Sequence, residues 1–136
     1  MANQNEYLTI TLTGRQPVKI KKPDWPVVAE ASENDRHGAQ IGNAPNRETD
    51  WSIKVRQHED GRSIVYAIYG YVTSFTGEKG LDLRGGELLT KDANIPAAVE
   101  RVADTIAARL PDEDANARVF ARIAHECIAD LPAVEI

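Results

Sequence analysis

The densest cluster of residues that catalysis commonly uses is the run His58-Glu59-Asp60. An imidazole beside carboxylates can move protons or hold a metal ion. Side chains alternate between the two faces of a strand, however, so His58 and Glu59 point to opposite sides unless a bulge intervenes. The run also adjoins Asp60-Gly61, whose residue types favour a tight turn. We therefore interpret it as a solvated turn and not as a catalytic or metal site.

Histidine and cysteine are too sparse to predict a reaction. His37, His58 and His125 are far apart, and no His-x-x-x-His or His-Glu-x-x-His pattern places two of them on one helix face. The single cysteine, Cys127, excludes an internal disulfide and falls in the apolar stripe predicted for the last helix. A nucleophilic thiol needs an exposed, electropositive setting, so we predict a buried structural cysteine. We predict no catalytic residues, no cofactor and no metal.

A basic and aromatic surface is the strongest candidate for a binding site. Which residues belong to it depends on how the strands on either side of Asp60-Gly61 pair. With a two-residue loop there, Trp51 faces Gly70 and an apolar side of the hairpin meets the core. A three-residue loop, residues 59–61, slides the pairing by one and mixes apolar with charged residues on both faces, so we prefer the first register. The predicted binding residues on the opposite face are Lys54, Arg56, His58, Tyr69 and Tyr71, and Lys19 and Lys21 extend the patch.

Such a surface suits a protein partner with an acidic face, or single-stranded nucleic acid, whose bases stack on aromatic rings. In a third interpretation the cations lie over the tyrosine rings and pair with neighbouring acids. The net charge is −5: residues 1–75 hold nine Lys/Arg and nine Asp/Glu, and residues 76–136 hold seven and twelve. This acidic balance argues against a general nucleic-acid binder but leaves room for a locally basic patch on the N-terminal part. Of the two kinds of partner we favour a protein.

The periodicity of apolar residues predicts the elements that position this surface. The predicted elements are strands at Tyr7–Thr13 and around Val18–Lys21, paired as a hairpin, a helix at about 25–32 capped by Asp24, a hairpin over Trp51–Thr73, a strand at about Arg84–Leu89 with a kink or bulge at its paired glycines, and two C-terminal helices that begin after Asp92 or Asn94 and after Asp112. The segment Glu33–Asp50 has no apolar period, so we interpret it as a mobile or a functional loop that could hide a short strand around Ala39–Ile41.

Together these patterns predict an α+β fold: one domain over residues 1–136, with an antiparallel β-sheet of four or five strands, a short inserted helix and two C-terminal helices packed on one face. No basic leader and no run of about 20 apolar residues occurs, so we expect a soluble cytosolic protein with no membrane contact.

The leading functional hypothesis is a non-catalytic accessory protein that binds another macromolecule. An adaptor, inhibitor or regulator of bacterial or mobile-element type would fit. Single-stranded nucleic-acid binding through the same face is the alternative, and an enzyme whose residues meet only in three dimensions is the third. The hypothesis rests on the missing catalytic motifs and on a second sheet face that is not plainly polar.

Overall fold

Three layers follow one another: a two-stranded β ribbon, a four-stranded antiparallel sheet and a pair of helices. The computed structural model describes residues 4–35, 47–73, 80–110 and 113–133. The strands are β1 (Tyr7–Ile10), β2 (Val18–Lys21), β3 (Val27–Asp35), β4 (Arg47–Gln57), β5 (Ser63–Thr73) and β6 (Leu81–Leu89); the helices are α1 (Ile95–Ala107) and α2 (Glu113–Asp130), with single 3₁₀ turns at Gln4–Glu6 and Lys22–Asp24. The sheet order is β3-β4-β5-β6, and β1 pairs with β2 in the ribbon. The predicted α+β class is confirmed.

The helix face of the sheet is built by the odd-numbered residues of β4 and β5. Trp51, Ile53 and Val55 pair there with Tyr69, Ala67 and Val65, and all six are buried under the apolar stripes of α1 and α2. The indole Nε1–H of Trp51 donates to Oδ1 of Asn116 in α2 at 3.0 Å, so the polar edge of the indole is satisfied inside the core. The predicted packing of both helices on the Trp51 side is confirmed.

Both helices match their predicted apolar stripes. Asn94 caps α1: its side chain accepts a hydrogen bond from the backbone N–H of Ala97 at 3.1 Å, which satisfies a donor that the helix leaves free. The predicted cap of α2, Asp112, lies outside the described residues.

The opposite, ribbon face of the sheet is also covered. Ile10, Leu12 and Ile20 of the ribbon segment pack with Trp25 and with Ile64 and Tyr66 of β5 in a second apolar cluster. The backbone N–H of Thr13 donates to the carbonyl of Gly86 at 2.9 Å and ties the ribbon to β6. The predicted β1–β2 hairpin is confirmed by the antiparallel pairing of the two strands, and it covers part of this face of the sheet.

The paired glycines of β6 have a packing role. Residues 81–89 pair with β5 in continuous register, so the bulge that was one of the two predicted irregularities is wrong. A Cβ at Gly85 would lie 2.8 Å from Oγ1 of Thr13 and 3.0 Å from Cδ1 of Ile106. Glycine here leaves room for Thr13 of the ribbon segment and Ile106 of α1 to approach the same position of the strand closely.

The predicted register of the central hairpin is wrong by one residue. His58 donates its N–H to the carbonyl of Arg62 at 2.9 Å, which leaves a three-residue loop, residues 59–61, with Gly61 at φ +96°. Trp51 therefore faces Tyr69 and not Gly70. The prediction assumed that only one face of the hairpin is buried, so a register that places both apolar and charged residues on each face was rejected. Because the ribbon buries the second face as well, apolar residues are required on both sides of β5.

The helix predicted at about 25–32 is wrong: this segment forms β3. It pairs with β4 from Val27 opposite Arg56 to Asp35 opposite Thr49, with an irregularity between Val27 and Ala29. Val27 and Val28 are β-branched, and the segment completes a sheet edge that would otherwise leave the backbone of β4 unpaired. Pairing with β4 outweighs the capping signal of Asp24, which belongs only to a 3₁₀ turn.

Both ends of the segment Glu33–Asp50, predicted to be a loop, form strands instead, and residues 36–46 lie outside the described residues. Residues 33–35 belong to β3 and residues 47–50 belong to β4. The strand suggested around Ala39–Ile41 lies outside the described residues. The strand predicted at about Arg84–Leu89 is β6, which begins three residues earlier, at Leu81.

Candidate binding site

The seven predicted binding residues do not form one surface. Lys54 and Arg56 lie on the ribbon face of the sheet, whereas Tyr69 and Tyr71 lie on the helix face. Tyr69 is 3% exposed, with its ring edge-on to Trp51 at a centroid distance of 6.0 Å. Tyr71 is half-buried, and its ring lies edge-on to that of Tyr69 at 6.3 Å. Tyr69 is therefore a core residue and Tyr71 packs against the core, a consequence of the corrected register.

His58 lies next to the hairpin loop and belongs to neither surface. Its ring lies 5.0 Å from the ring of Trp25, and Nδ1 accepts the N–H of Asp60 at 3.1 Å. The Asp60 carboxylate accepts the backbone N–H of Arg62 and pairs with its guanidinium at 2.8 Å. The pKa of Asp60 is lowered, chiefly because its carboxylate accepts the backbone hydrogen bond from Arg62. These contacts close the loop, in agreement with its interpretation as a turn.

Lys19 and Lys21 lie on the outward side of the ribbon. Lys21 is opposite Tyr7 in the β1–β2 pairing, and Nζ of Lys19 lies 4.8 Å from the centroid of the Tyr7 ring. All three residues are exposed. We call these residues, Tyr7, Lys19 and Lys21, the basic ribbon surface.

A second group of cations lines a cavity of about 210 Å³ between the ribbon and the sheet. Its apolar walls come from β1 and β5, including Leu8, Ile10 and Ile68. The cations are Lys22, Lys54, Arg56 and Arg84, and no Asp or Glu of the described residues lines the space. We call this space the cationic cavity.

Arg56 is the buried member of the cationic cavity, only 9% exposed. Its Nε–H donates to the hydroxyl of Tyr66 at 2.9 Å and Nη1 donates to the carbonyl of Trp25 at 3.0 Å. Both acceptors are neutral, so the hydrogen bonds orient the guanidinium without neutralising it. Within the described ranges Arg56 makes no ion pair.

Two of the other cations have carboxylate neighbours. Arg84 makes two hydrogen bonds to Asp82, at 2.9 and 3.0 Å, and this contact lowers the pKa of Asp82. Lys54 lies 3.9 Å from Glu30, a loose pair between partly exposed side chains. Lys22 is exposed and makes no ion pair with any residue that the structure describes.

Tyr66, Lys22 and Arg84 are cavity residues that the preferred sequence register did not identify. The rejected three-residue loop contained the necessary signal, because it places Tyr66 opposite Lys54. Arg84 follows from the next pairing, where it lies opposite Ile68. The position of Lys22 in the cavity could not be predicted from strand pairing, because it depends on how the ribbon packs on the sheet.

The thiol and the carboxylates offer no second chemical centre. Cys127 is fully buried, and desolvation, followed by the charges of Asp130 and Glu30, raises its pKa to about 11. Across the described ranges, no three His, Cys, Asp or Glu side chains come together as a metal site would require. None of the helices in those ranges combines the length and apolar character that crossing a membrane requires.

Comparison with protein-family models, with curated proteins and with solved structures finds no match to this chain.

Proposed function

We propose that this protein is a non-catalytic binding protein, and that it contacts an acidic surface of a partner protein through the basic ribbon surface. The supporting observation is that Lys19 and Lys21 project from the ribbon around the exposed ring of Tyr7. A tyrosine flanked by lysines offers apolar contact area together with charge, which is typical of surfaces that associate with acidic partners.

The distribution of charge supports this orientation. Residues 4–25, which include the ribbon, contain four Lys/Arg and two Asp/Glu, whereas α1 and α2 together contain three Lys/Arg and six Asp/Glu. The ribbon and the helices lie on opposite sides of the sheet, so the molecule is basic on one side and acidic on the other. An acidic partner is attracted to the ribbon side and repelled from the helix side.

The position of the tyrosines favours a protein over single-stranded nucleic acid. Base stacking needs exposed ring faces, and Tyr69 and Tyr71 pack on the helix face, away from Lys54 and Arg56. On the basic ribbon surface only Tyr7 contributes a ring, and Lys19 already lies against it.

Co-purification with matched charge-reversal variants tests this proposal. The tagged protein is purified from its native host as wild type, as Lys19→Glu/Lys21→Glu and as the control Arg109→Glu/Arg118→Glu. Arg109 and Arg118 are exposed on the helix side, so the control makes the same charge change on the other side of the molecule. We expect one partner to be retained by the wild type and the control, to be lost from the ribbon variant, and to dissociate as salt rises.

Equal retention of that partner by both double variants at unchanged melting temperature would contradict a role for the ribbon. Recovered material that is nucleic acid, identified by its ultraviolet absorbance ratio, would favour the alternative function instead.

A further inference from the structure

We infer that the cationic cavity binds a phosphoryl group, supplied either by inorganic phosphate or by a small phosphate monoester. This site goes beyond the proposed partner contact. It lies beneath the ribbon and uses Lys22, Lys54, Arg56 and Arg84, whereas the basic ribbon surface uses the outward residues of the same ribbon.

Arg56 is a buried cation without a compensating anion among the described residues. A guanidinium has five N–H donors and keeps its charge at all ordinary pH values, so burying it is unfavourable unless an anion compensates it. Arg56 is 9% exposed, and its two hydrogen bonds go to a neutral hydroxyl and a neutral carbonyl. Its remaining N–H groups have no acceptor within the described ranges and are available to an oxyanion in the cavity.

Tyr66 provides a second unused donor. Its hydroxyl accepts from Arg56 at 2.9 Å, and the hydroxyl hydrogen has no acceptor among the residues that the structure describes. Tyr66 is 6% exposed and lines the cavity, so an anion bound there can accept this hydrogen. A buried O–H beside a guanidinium whose orientation is held by two hydrogen bonds is an arrangement that recognises an oxyanion.

The charge of the cavity favours phosphate over carboxylate. Glu30 lies near Lys54 and Asp82 is paired with Arg84, which leaves Arg56 and Lys22 without a carboxylate partner in the described part of the chain. Two uncompensated positive charges match a phosphate monoester, which carries about −1.5 to −2 near neutral pH. A carboxylate would neutralise only one of them.

The volume of the cavity limits the rest of the ligand. At about 210 Å³ it is smaller than the 300–1,000 Å³ that drug-sized ligands typically occupy. The apolar walls at Leu8, Ile10 and Ile68 suit a short carbon substituent on the phosphate.

Isothermal titration calorimetry at pH 7.5 and constant ionic strength tests the assignment, with inorganic phosphate, glycerol 3-phosphate and acetate as probes. We expect both phosphate compounds to bind with one site per chain and acetate to bind at least about tenfold more weakly, as one fewer charge-assisted contact implies. Binding of inorganic phosphate alone identifies a free-anion site, and binding of both compounds identifies a monoester site.

Two variants locate the binding and one serves as a control. Arg56→Gln should abolish the heat of phosphate binding. Lys22→Gln, an exposed position that keeps the test valid if the Arg56 variant does not fold, should weaken binding by about tenfold. Lys91→Gln removes the same charge from an exposed lysine that does not line the cavity and should leave binding unchanged.

Three results would overturn the inference: no heat with either phosphate compound, acetate binding as tight as phosphate, or an equal loss in the Lys22 and Lys91 variants. The result is separable from the proposed function, because Lys22→Gln should still retain the partner that Lys19→Glu/Lys21→Glu loses.

Discussion

The Nε–H of Arg56 donates to the hydroxyl of Tyr66 at 2.9 Å, across two neighbouring strands and beneath the ribbon. The contact exists because Tyr66 lies opposite Lys54, one diagonal step from Arg56 on the same face of the sheet. It places the guanidinium and the phenol together beneath the apolar side chains of the ribbon. The packing of the ribbon on Tyr66 therefore affects how Arg56 is oriented in the cationic cavity.

Tyr66→Phe should destabilise the protein by about 1–3 kcal/mol, because it removes one of the two acceptors of a buried guanidinium while leaving the ring in place. Urea unfolding followed by circular dichroism measures the change. Tyr7→Phe removes a hydroxyl from an exposed ring and should change stability by less than about 0.5 kcal/mol. Equal effects of the two changes would show that the Arg56 contact contributes nothing.

Val65→Ala tests the corrected register. In the structure Val65 is 0% exposed under the helices, whereas the two-residue loop would have placed it on the outward face. The structure therefore predicts a loss of about 1–3 kcal/mol. Val72→Ala, on the same strand at a position 64% exposed, should cost little by comparison. Val65→Ala that is as mild as Val72→Ala would contradict the observed pairing.

Gly61→Ala should be more harmful than Gly14→Ala, although both glycines have positive φ, +96° and +71°. At Gly61 an added Cβ would lie 2.8 Å from Cβ of Lys91, whereas at Gly14 nothing lies within 4 Å. Gly14→Ala should therefore cost only the left-handed backbone strain of about 1–2 kcal/mol, and Gly61→Ala should add steric repulsion to it. Comparing the midpoints of urea unfolding decides the order, and the reverse order would argue against the observed loop.

The buried thiol predicts a pH dependence of stability. Burial raises the pKa of Cys127 from 9.0 to about 11, so the folded state holds this proton more tightly than the unfolded state. The resulting stabilisation is complete below pH 9.0 and is lost as pH rises towards about 11. The stability difference between wild type and Cys127→Ala should therefore shrink across that interval. A difference independent of pH would mean that the thiol is solvated, as would rapid labelling of the native protein at pH 8.

Local patterns were sufficient for the elements with a clear period. The apolar stripes of α1 and α2, the cap at Asn94 and the alternation in β1 and β2 depend on neighbours close in sequence, and the structure agrees with them. The burial of Cys127 followed from the same stripe. The α+β class followed in turn, because strands precede a pair of amphipathic helices.

Contacts between distant segments decided the rest. The sequence before β4 read locally as a helix, but pairing with β4 made it a strand, since a sheet edge satisfies a full row of backbone hydrogen bonds. The register of the central hairpin depended on whether the second sheet face was buried, and only the folded ribbon supplies that cover. A strand side chain changes face with every one-residue slip, so this single fact moved Tyr69 into the core and brought Tyr66 beside Arg56.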